Sequence, residues 1–307
     1  MNFLITGANG DIAISICRIL KNEFKKSIIE GTDIKTDGPG EFQFKKIHKI
    51  TSPRNKNYLN EMLKISKKSK IIIPTTEEEI IFFSKNQKKF KNKLILVNSY
   101  KIIQIFSSKF KTYNFLNKNK FGVPSFCEKL NNLKKFNKTF FLKKDFGHGN
   151  KNYKVVRTAA QFKKIKINDK KNWIAQEYLD ENYKEYTCAI IKLRNYENAI
   201  ILNRKLDKGY TYYAEVVEDV HLNKILLNIA KKINLCGSIN VQIKINQQRY
   251  AIFEINPRLS STVMMRNKMG FKDLVWWINY LVFKKKPTSI TKIKKYKMIK
   301  FSKEKFI

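Results

Sequence analysis

The chain has little glycine and proline and few acidic residues. Of 307 residues, 11 are glycine and 6 are proline, and 25 Asp and Glu stand against 63 Lys and Arg, giving a formal net charge of +38. Average proteins contain about 7% glycine and 5% proline. The abundant residues, Lys, Asn, Ile, Phe and Tyr, have A/T-rich codons, and most lysines are scattered. We therefore attribute the charge to codon drift and a solvated surface; a basic nucleic-acid-binding protein is a remaining alternative.

Long apolar runs and paired metal ligands are also missing. The longest apolar segment, Leu274–Phe283, is about half the length that spans a bilayer. The N-terminus lacks the basic and apolar regions of a signal peptide, so we expect a cytoplasmic protein without membrane contact. Cys17, Cys127, Cys188 and Cys236 form no C-x-x-C pair, which indicates reduced thiols. The histidines show no ligand spacing, which argues against zinc.

Alternating strand and helix patterns predict an open parallel α/β sheet, of Rossmann-like type, over residues 1–98. Short apolar strands are expected at Asn2–Thr6, Ser27–Asp33, Lys70–Thr76 and Lys93–Ser99. The rest of the chain is richer in strands and hairpins. Because the chain exceeds a domain of roughly 100–150 residues, we expect two or three lobes.

Residues Ser238–Asn256 predict a β-hairpin with one polar face. Side chains two apart on a strand point the same way, which groups Asn240, Gln242 and Lys244 on the first strand. On the second strand, alternation groups Ile252 with Glu254 and Asn256 and places Phe253 with the buried isoleucines. Gln242 and Glu254 lie side by side only if the residue numbers of each cross-strand pair add to an even number. This condition favours a loop with an odd number of residues, such as Gln247–Arg249.

The polar face of this hairpin predicts a metal–phosphate site. Magnesium prefers oxygen ligands and keeps waters and phosphate oxygens as well. Gln242, Glu254 and Asn256 supply such oxygens, and Arg258 follows them closely. A guanidinium binds a phosphoryl or carboxylate oxygen in bidentate fashion. A strand end with a simple turn is the alternative.

The segments NVQ (Asn240–Gln242) and EINPR (Glu254–Arg258) resemble the metal-binding hairpin of the ATP-grasp superfamily, in its carbamoyl-phosphate-synthase-like branch. The resemblance covers about residues 99–283. It implies a mixed α/β and α+β chain: a pre-ATP-grasp domain (1–98), then a two-lobed ATP-grasp fold with a small lobe (99–184) and a C-terminal lobe (185–307).

The resemblance also implies a phosphate-covering loop in Phe140–Val156, FFLKKDFGHGNKNYKVV. Lys143 would contact the phosphates of ATP, and Gly147 and Gly149 would let the backbone approach them. Lys144 stands where proline is usual in the family, and Asn150 and Asn152 replace small residues, so the loop is expected to be less mobile or to bind differently. A turn between two strands is the alternative.

Further nucleotide contacts are implied by the segment QEYLDENYKEYT. In the family, its glutamate and the following backbone face adenine, and a later glutamate binds the ribose hydroxyls. An early lysine also contacts the nucleotide; here a serine precedes it in place of the usual aspartate. The residues matched to these contacts are Glu177, Tyr178, Leu179, Glu185, Lys109 and Asn240.

The resemblance implies catalytic cations and a substrate-binding turn as well. Lys143, Arg204 and Arg258 would offset developing negative charge. Ser260, Ser261 and Thr262 open a predicted helix whose free N–H groups favour an anion. Arg266, on the first turns of that helix, is predicted to meet a substrate carboxylate.

Together these motifs predict an ATP-dependent carboxylate–amine ligase. Gln242, Glu254 and Asn256 would hold one or two Mg²⁺ ions, for which Mn²⁺ could substitute. The expected partners are a small-molecule carboxylate and an amine, without nucleic acid or membrane. A homodimer and a role in surface-polysaccharide or small-molecule biosynthesis are further expectations from the resemblance.

One alternative enzyme class uses the N-terminal segment TGANGDIA, which fits the G-x-x-G-x-x-A loop of NAD(P)-dependent epimerases and reductases. Asp33 could bind a ribose hydroxyl of the dinucleotide. Those enzymes also need Tyr-x-x-x-Lys on a mid-chain helix. The matches here, Tyr280–Lys284 and Tyr296–Lys300, lie near the C-terminus.

Overall fold

The computed structural model describes residues 1–127, 139–147, 153–165, 172–207, 209–285, 287 and 293–300. The predicted loop positions Gly149, Asn150 and Asn152 lie outside these ranges. The described residues form three β-sheets, and the mixed α/β and α+β architecture expected from the sequence is confirmed. None of the described helices has the length and apolar character needed to cross a membrane.

The N-terminal sheet is parallel, with strand order β3-β2-β1-β4-β5. Its strands are β1 (Asn2–Thr6), β2 (Ile28–Asp33), β3 (Ile47–Lys49), β4 (Ile71–Ile73) and β5 (Leu94–Ile95). The connecting helices are α1 (Asp11–Glu23), α2 (Tyr58–Ile65) and α3 (Glu77–Asn86), and short 3-10 turns follow at Ser66–Lys68 and Gln87–Lys89. The strand order reverses between β1 and β4, and in such sheets ligands bind at the carboxyl ends of the strands on either side of that reversal.

The small sheet is antiparallel, with order β6-β9-β7-β8. Its strands are β6 (Phe126–Cys127), β7 (Phe140–Lys144), β8 (Tyr153–Val156) and β9 (Trp173–Glu177), accompanied by α4 (Tyr100–Phe106), α5 (Lys109–Lys118) and α6 (Ala159–Lys164). Alternation on β7 buries Phe140 and Leu142 against Val156, Trp173 and Ala175. The next residue in that alternation series, Lys144, is exposed.

The large sheet is antiparallel, with order β14-β13-β10-β11-β12-β15. Its strands are β10 (Lys184–Leu193), β11 (Tyr196–Asp207), β12 (Tyr210–Val217), β13 (Gly237–Ile245), β14 (Tyr250–Asn256) and β15 (Lys297–Ile299). Helix α7 (Val220–Lys232) covers one face, and α8 (Val263–Lys268) and α9 (Asp273–Phe283) follow the hairpin. Gly270, at φ +99°, separates the last two helices, as the sequence indicated.

One continuous core joins the N-terminal and large sheets. Phe3 and Ile5 on β1 belong to the same buried cluster as Ile191 on β10 and Leu274 and Trp277 on α9. The side-chain Nδ2 of Asn98 also donates to the carbonyls of Ser238 and Pro257, at 2.8 and 3.0 Å. These contacts fix the carboxyl edge of the N-terminal sheet against the end of the β13–β14 hairpin.

Near its open end the β13–β14 hairpin has the predicted pairing of Gln242 with Glu254, but its turn differs from the predicted one and a bulge is present. Ile245 pairs with Tyr250, so the connecting loop has four residues, 246–249, rather than an odd number. A β-bulge then shifts the register between Gln242 and Ile243, which leaves Phe253 as the extra residue. Beyond the bulge Gln242 lies opposite Glu254.

The same bulge corrects the predicted faces of β14. Ile252 pairs with Ile243 and is fully buried in the core, whereas the sequence pattern placed it with Glu254. Phe253 lines the cleft instead of the core. The extra residue reverses the alternation, so each side chain before the bulge lies on the face opposite to the predicted one.

Candidate active site

A cleft of about 520 Å³ lies where the three sheets meet. Its walls come from the carboxyl edge of the N-terminal sheet, from β7 and β8 of the small sheet, and from β10, β11, β13 and β14 of the large sheet. Several exposed aromatic and apolar side chains border it, namely Phe146, Tyr153, Leu206 and Tyr210. Such a cleft, apolar in part and with converging polar groups, is typical of a small-molecule site.

Lys143 lies at the small-sheet wall of the cleft. Its Nζ donates to Gln176 Oε1 at 3.0 Å and lies 4.9 Å from the centroid of the Phe141 ring. Burial lowers the pKa of Lys143 to about 8; Glu254 opposes this shift, and Lys109 contributes to it. A desolvated ammonium with few partners interacts strongly with a phosphate.

Lys109 anchors the start of the loop that the resemblance predicts to cover the phosphates. Its Nζ donates to the carbonyl of Gly147 at 2.9 Å and lies 3.4 Å from that of Asp145. Ser108, which replaces the family's aspartate, donates to the Asp145 carboxylate and caps α5. Gly147 has φ +107°, and a Cβ there would meet nothing within 4 Å, so the loop backbone borders open space.

Asn240, Gln242, Glu254 and Asn256 form the polar floor of the cleft, which we call the hairpin cluster. Asn240 pairs with Asn256, and Gln242 with Glu254, across the two strands. Asn256 Nδ2 donates to Glu254 Oε1 at 3.0 Å, and Asn240 Oδ1 accepts from Thr187 at 3.0 Å. Among the described residues, the buried atoms Asn256 Oδ1 and Asn240 Nδ2 have no hydrogen-bond partner.

These groups fit a divalent cation bound by carboxylate and amide oxygens. The described residues contain no cluster of three or more His, Cys, Asp and Glu that could hold a metal. A cation here would therefore rely on amide oxygens beside one carboxylate, a donor set that suits Mg²⁺ together with phosphate oxygens. The buried amide oxygen of Asn256, which has no partner among the described residues, is free to bind such a cation.

Arg204 links the hairpin cluster to Glu185. Its Nε donates to Glu185 Oε1 at 3.0 Å, and its Nη2 donates to Gln242 Oε1 at 2.9 Å. All three side chains line the cleft. The structure thus brings together residues that the family resemblance assigns to ribose, metal and phosphate contacts.

Arg258 follows the hairpin and lines the cleft. Its Nη1 donates to the Leu259 carbonyl at 2.9 Å, and its buried Nε lacks a partner among the described residues. Burial lowers the pKa of Arg258, and Glu254 and Glu77 oppose the shift. An arginine with unused donors in a cleft is suited to an anion.

The side chains of two residues assigned to adenine have partners within the protein. The carboxylate of Glu177 forms an ion pair with Arg249 and accepts from the Ser125 backbone N–H at 3.0 Å. Tyr178 is 40% exposed and packs on Phe141. Neither lines the cleft, whereas Leu179 does, with its carbonyl accepting from Lys244 Nζ at 2.7 Å.

Arg266 does not reach the cleft surface as the sequence suggested. It is 1% exposed, and it donates from Nε and Nη2 to the two carboxylate oxygens of Asp273, at 3.0 and 2.8 Å. Its Nη1 donates to Ser260 and Thr262 at 2.9 and 3.2 Å. Asp273, seven residues downstream, is buried, and the guanidinium turns inward because it pairs with this carboxylate. Ser260 and Ser261 do line the cleft.

The sequence interpretation missed Gln176 and Tyr113. The Tyr113 hydroxyl lies 2.7 Å from Gln176 Oε1 and 2.7 Å from the Phe253 carbonyl oxygen. Gln176 in turn accepts from Lys143. Strand alternation carries the signal, since Gln176 precedes Glu177 and therefore lies on the opposite face of β9.

The N-terminal wall holds a closed network around Glu79. This buried carboxylate accepts from Thr6 and Thr76 hydroxyls at 2.6 Å and from Tyr58 at 3.2 Å. Burial raises the pKa of Glu79, and these hydrogen bonds oppose the shift. The network fixes the ends of β1 and β4, where Thr75 and Thr76 line the cleft.

The loop after β1 uses its backbone donors internally. Ala8 N–H donates to the Thr32 carbonyl, Asn9 N–H to Asp33 Oδ2, and Gly10 N–H to the Gly7 carbonyl. A dinucleotide loop offers such N–H groups to a diphosphate and its acidic residue to a ribose. The geometry therefore does not favour the nicotinamide alternative.

The sequence is similar to a family profile and to a curated relative. A family profile described as "ATP-grasp in the biosynthetic pathway with Ter operon" matches residues 169–303. Uncharacterized protein MG011 of Mycoplasma genitalium is 31% identical over 97 residues, which cover 31% of this chain and 33% of that relative. The matched segment thus spans about a third of the relative's length.

Solved structures match nearly the whole chain. N5-carboxyaminoimidazole synthetase of Staphylococcus aureus, solved with ADP, has TM-score 0.72 at 14% identity, covering 90% of this chain and 76% of that one. Biotin carboxylase of Campylobacter jejuni has TM-score 0.74 at 16% identity, with 96% and 73% coverage. The MgADP-bound biotin carboxylase domain of Hydrogenobacter thermophilus 2-oxoglutarate carboxylase, a dimer, has TM-score 0.73 at 13% identity, with 94% and 70% coverage. The resemblance to the ATP-grasp superfamily is confirmed.

Proposed function

Because the chain has the ATP-grasp fold, we propose that it is a magnesium-dependent ligase that activates a carboxylate with ATP and joins it to an amine. The hairpin cluster carries this proposal: an unsatisfied amide oxygen on Asn256 lies beside the paired Gln242 and Glu254. Lys143 and Arg258 line the same cleft.

Each side chain has a role that follows from its contacts. Gln242, Glu254 and Asn256 hold the cation, which when bound neutralises phosphate charge. Lys143 and Lys109 bind the nucleotide phosphates, and Glu185, held by Arg204, is placed for a ribose. Arg258 faces the transferred phosphoryl group or the carboxylate, because its Nε has an unused donor.

The proposed reaction has two chemical steps. A carboxylate oxygen attacks the γ-phosphorus of ATP, and the bond to ADP breaks, which yields an acyl phosphate. The amine, bound in its ammonium form, loses one proton to solvent, and the neutral nitrogen then attacks the acyl carbon; phosphate leaves, and the nitrogen loses a second proton. The protein mainly places the reactants and stabilises the developing charge.

A hydroxylamine assay tests the first step without knowledge of the amine. The protein is incubated with ATP, Mg²⁺ and single acids from a set of amino acids, sugar acids and bicarbonate, and ADP release is measured with and without hydroxylamine, which intercepts acyl phosphates. We expect at least one acid to stimulate ADP release that requires Mg²⁺.

The matched variants are Glu254→Gln, in the hairpin cluster, and Glu218→Gln, whose carboxylate is 68% exposed and paired with Lys295. The first should lose turnover by about a thousandfold, as expected when charge stabilisation at the reacting centre is removed. The second should keep wild-type turnover. Full activity of Glu254→Gln would contradict the proposed site. The predicted homodimer is checked separately by light scattering.

A further inference from the structure

We propose that Asp11 binds the ammonium group of the amine substrate and that Lys300 occupies this position in the absence of substrate. The identification of the ammonium as substrate rests on the proposed ligase function. The carboxylate site itself rests on geometry alone.

Asp11 is the first residue of α1 and lines the cleft from the N-terminal wall. Its Oδ1 accepts a hydrogen bond of 2.6 Å from Lys300 Nζ. Its Oδ2 is buried and has no hydrogen-bond partner among the described residues. The site therefore already holds one primary ammonium and retains an acceptor for further N–H donors.

The other acids of the cleft have different tasks. The described lining residues include three carboxylates, those of Asp11, Glu185 and Glu254. Glu185 is held by Arg204, and Glu254 lies in the hairpin cluster between Gln242 and Asn256. Asp11 is thus the lining carboxylate left for a cationic ligand, and it lies on the N-terminal wall, whereas Lys143 lies on the small-sheet wall.

Lys300 reaches Asp11 from a weakly held segment. The strand β15 pairs with β12 through only three residues, and the Lys300 N–H donates to the Tyr212 carbonyl at 2.7 Å. The Lys300 side chain is 44% exposed. An exposed ion pair contributes little to stability, so a substrate ammonium with further contacts in the cleft can displace it.

Ligand pairs that differ by one ammonium group test this inference. The full-length chain, loaded with MgADP, is titrated calorimetrically with glucosamine and glucose, and with ethanolamine and ethylene glycol. In at least one pair the amine should bind about tenfold more tightly than its neutral partner, the gain expected for a charged hydrogen bond. Asp11→Asn should abolish this preference while MgADP still binds.

Lys300→Gln leaves α1 intact and should strengthen amine binding several-fold. The matched control Lys295→Gln, whose lysine is 67% exposed and paired with Glu218, should leave amine binding unchanged. Retained amine preference in Asp11→Asn would overturn the inference, as would absence of any preference in both the wild type and Lys300→Gln. The hydroxylamine assay separates the two proposals: acyl phosphate formation without amine preference would reject only this inference, and amine preference without acyl phosphate would reject only the ligase function.

Discussion

Two kinds of buried polar region in this protein can be compared: the closed networks around Glu79 and Arg266, and the hairpin cluster, where some polar atoms have no partner among the described residues. In the closed networks, donors are paired with acceptors. Three hydroxyls donate to the Glu79 carboxylate, and the Arg266 guanidinium donates two hydrogen bonds to Asp273. In the hairpin cluster, Asn256 Oδ1 and Asn240 Nδ2 lack partners among the described residues, as does the nearby Arg258 Nε. Buried polar groups are normally satisfied, and the hairpin cluster differs from most unpartnered atoms elsewhere in the described residues because its residues line the cleft. We therefore infer that the closed networks support the fold and that the hairpin cluster binds a ligand.

The largest expected effect comes from breaking a closed network. Arg266→Met leaves the fully buried Asp273 carboxylate without its cation, which should lower the free energy of unfolding by about 3–5 kcal/mol. Urea denaturation measures this loss. The double variant Arg266→Met/Asp273→Leu should recover most of it, and a double variant as unstable as the single one would refute the assignment.

Substitution in the hairpin cluster should separate function from stability. Asn256→Leu removes a buried oxygen that has no partner among the described residues, and also the Nδ2 donor to Glu254 Oε1. The two effects oppose each other, so the free energy of unfolding should change by less than about 1.5 kcal/mol. Magnesium-dependent turnover should fall by about a hundredfold. Thermal unfolding and ADP release in the same preparation measure both; a larger loss of stability would show that Asn256 belongs to the scaffold.

Glu79→Gln should have a smaller effect, confined to stability. One carboxylate acceptor is lost to the surrounding hydroxyls, at a cost of about 1–3 kcal/mol. Burial raises the pKa of Glu79 above its ordinary value of 4.5, so the wild type should lose stability as the pH rises from that value through the raised pKa. The variant should lack this slope in urea denaturation at several pH values.

The smallest expected effect concerns the charge of Lys143. Because burial lowers the pKa of Lys143 to about 8, MgADP affinity should fall by roughly threefold to tenfold between pH about 7 and 9 as the ammonium loses its proton. Lys143→Arg stays charged, so its affinity should be nearly constant there. Calorimetric titration checks this; identical pH profiles would remove Lys143 from phosphate binding.

Much of the fold was predictable from patterns spanning several residues. The apolar runs near Asn2–Thr6 and Lys70–Thr76 indicated parallel buried strands, and the structure has β1 and β4 there. The three-residue strand β3 was not predicted, because Ile47–Lys49 is too short and polar to show alternation. The strand β12 was also missed, since its tyrosines and glutamate give no clear apolar face.

The direction of a site side chain was predictable where alternation within one strand determines it. It was less predictable where contacts with residues distant in sequence determine it. Gln242, Glu254 and Asn256 face the cleft as expected, yet the bulge at Phe253 could not be inferred, because alternation within a strand contains no information about an extra residue. The inward turn of Arg266 depends on Asp273, whose burial is set by α9 packing against the N-terminal domain. The positions of Glu177 and Tyr178 depend likewise on Arg249 and Phe141.

Because of the bulge, the pairing of Gln242 with Glu254 depends on two features of the hairpin, the length of its turn and the extra residue at Phe253. An even turn with one extra residue at Phe253, or an odd turn without it, would present Glu254 to the cation in the same orientation. If a deletion between residues 246 and 249 kept the pairs next to the turn, loss of the bulge would place Phe253 opposite Gln242. The turn can therefore change in length, with the ligand-bearing half of the strand in place, as long as Phe253 remains the extra residue.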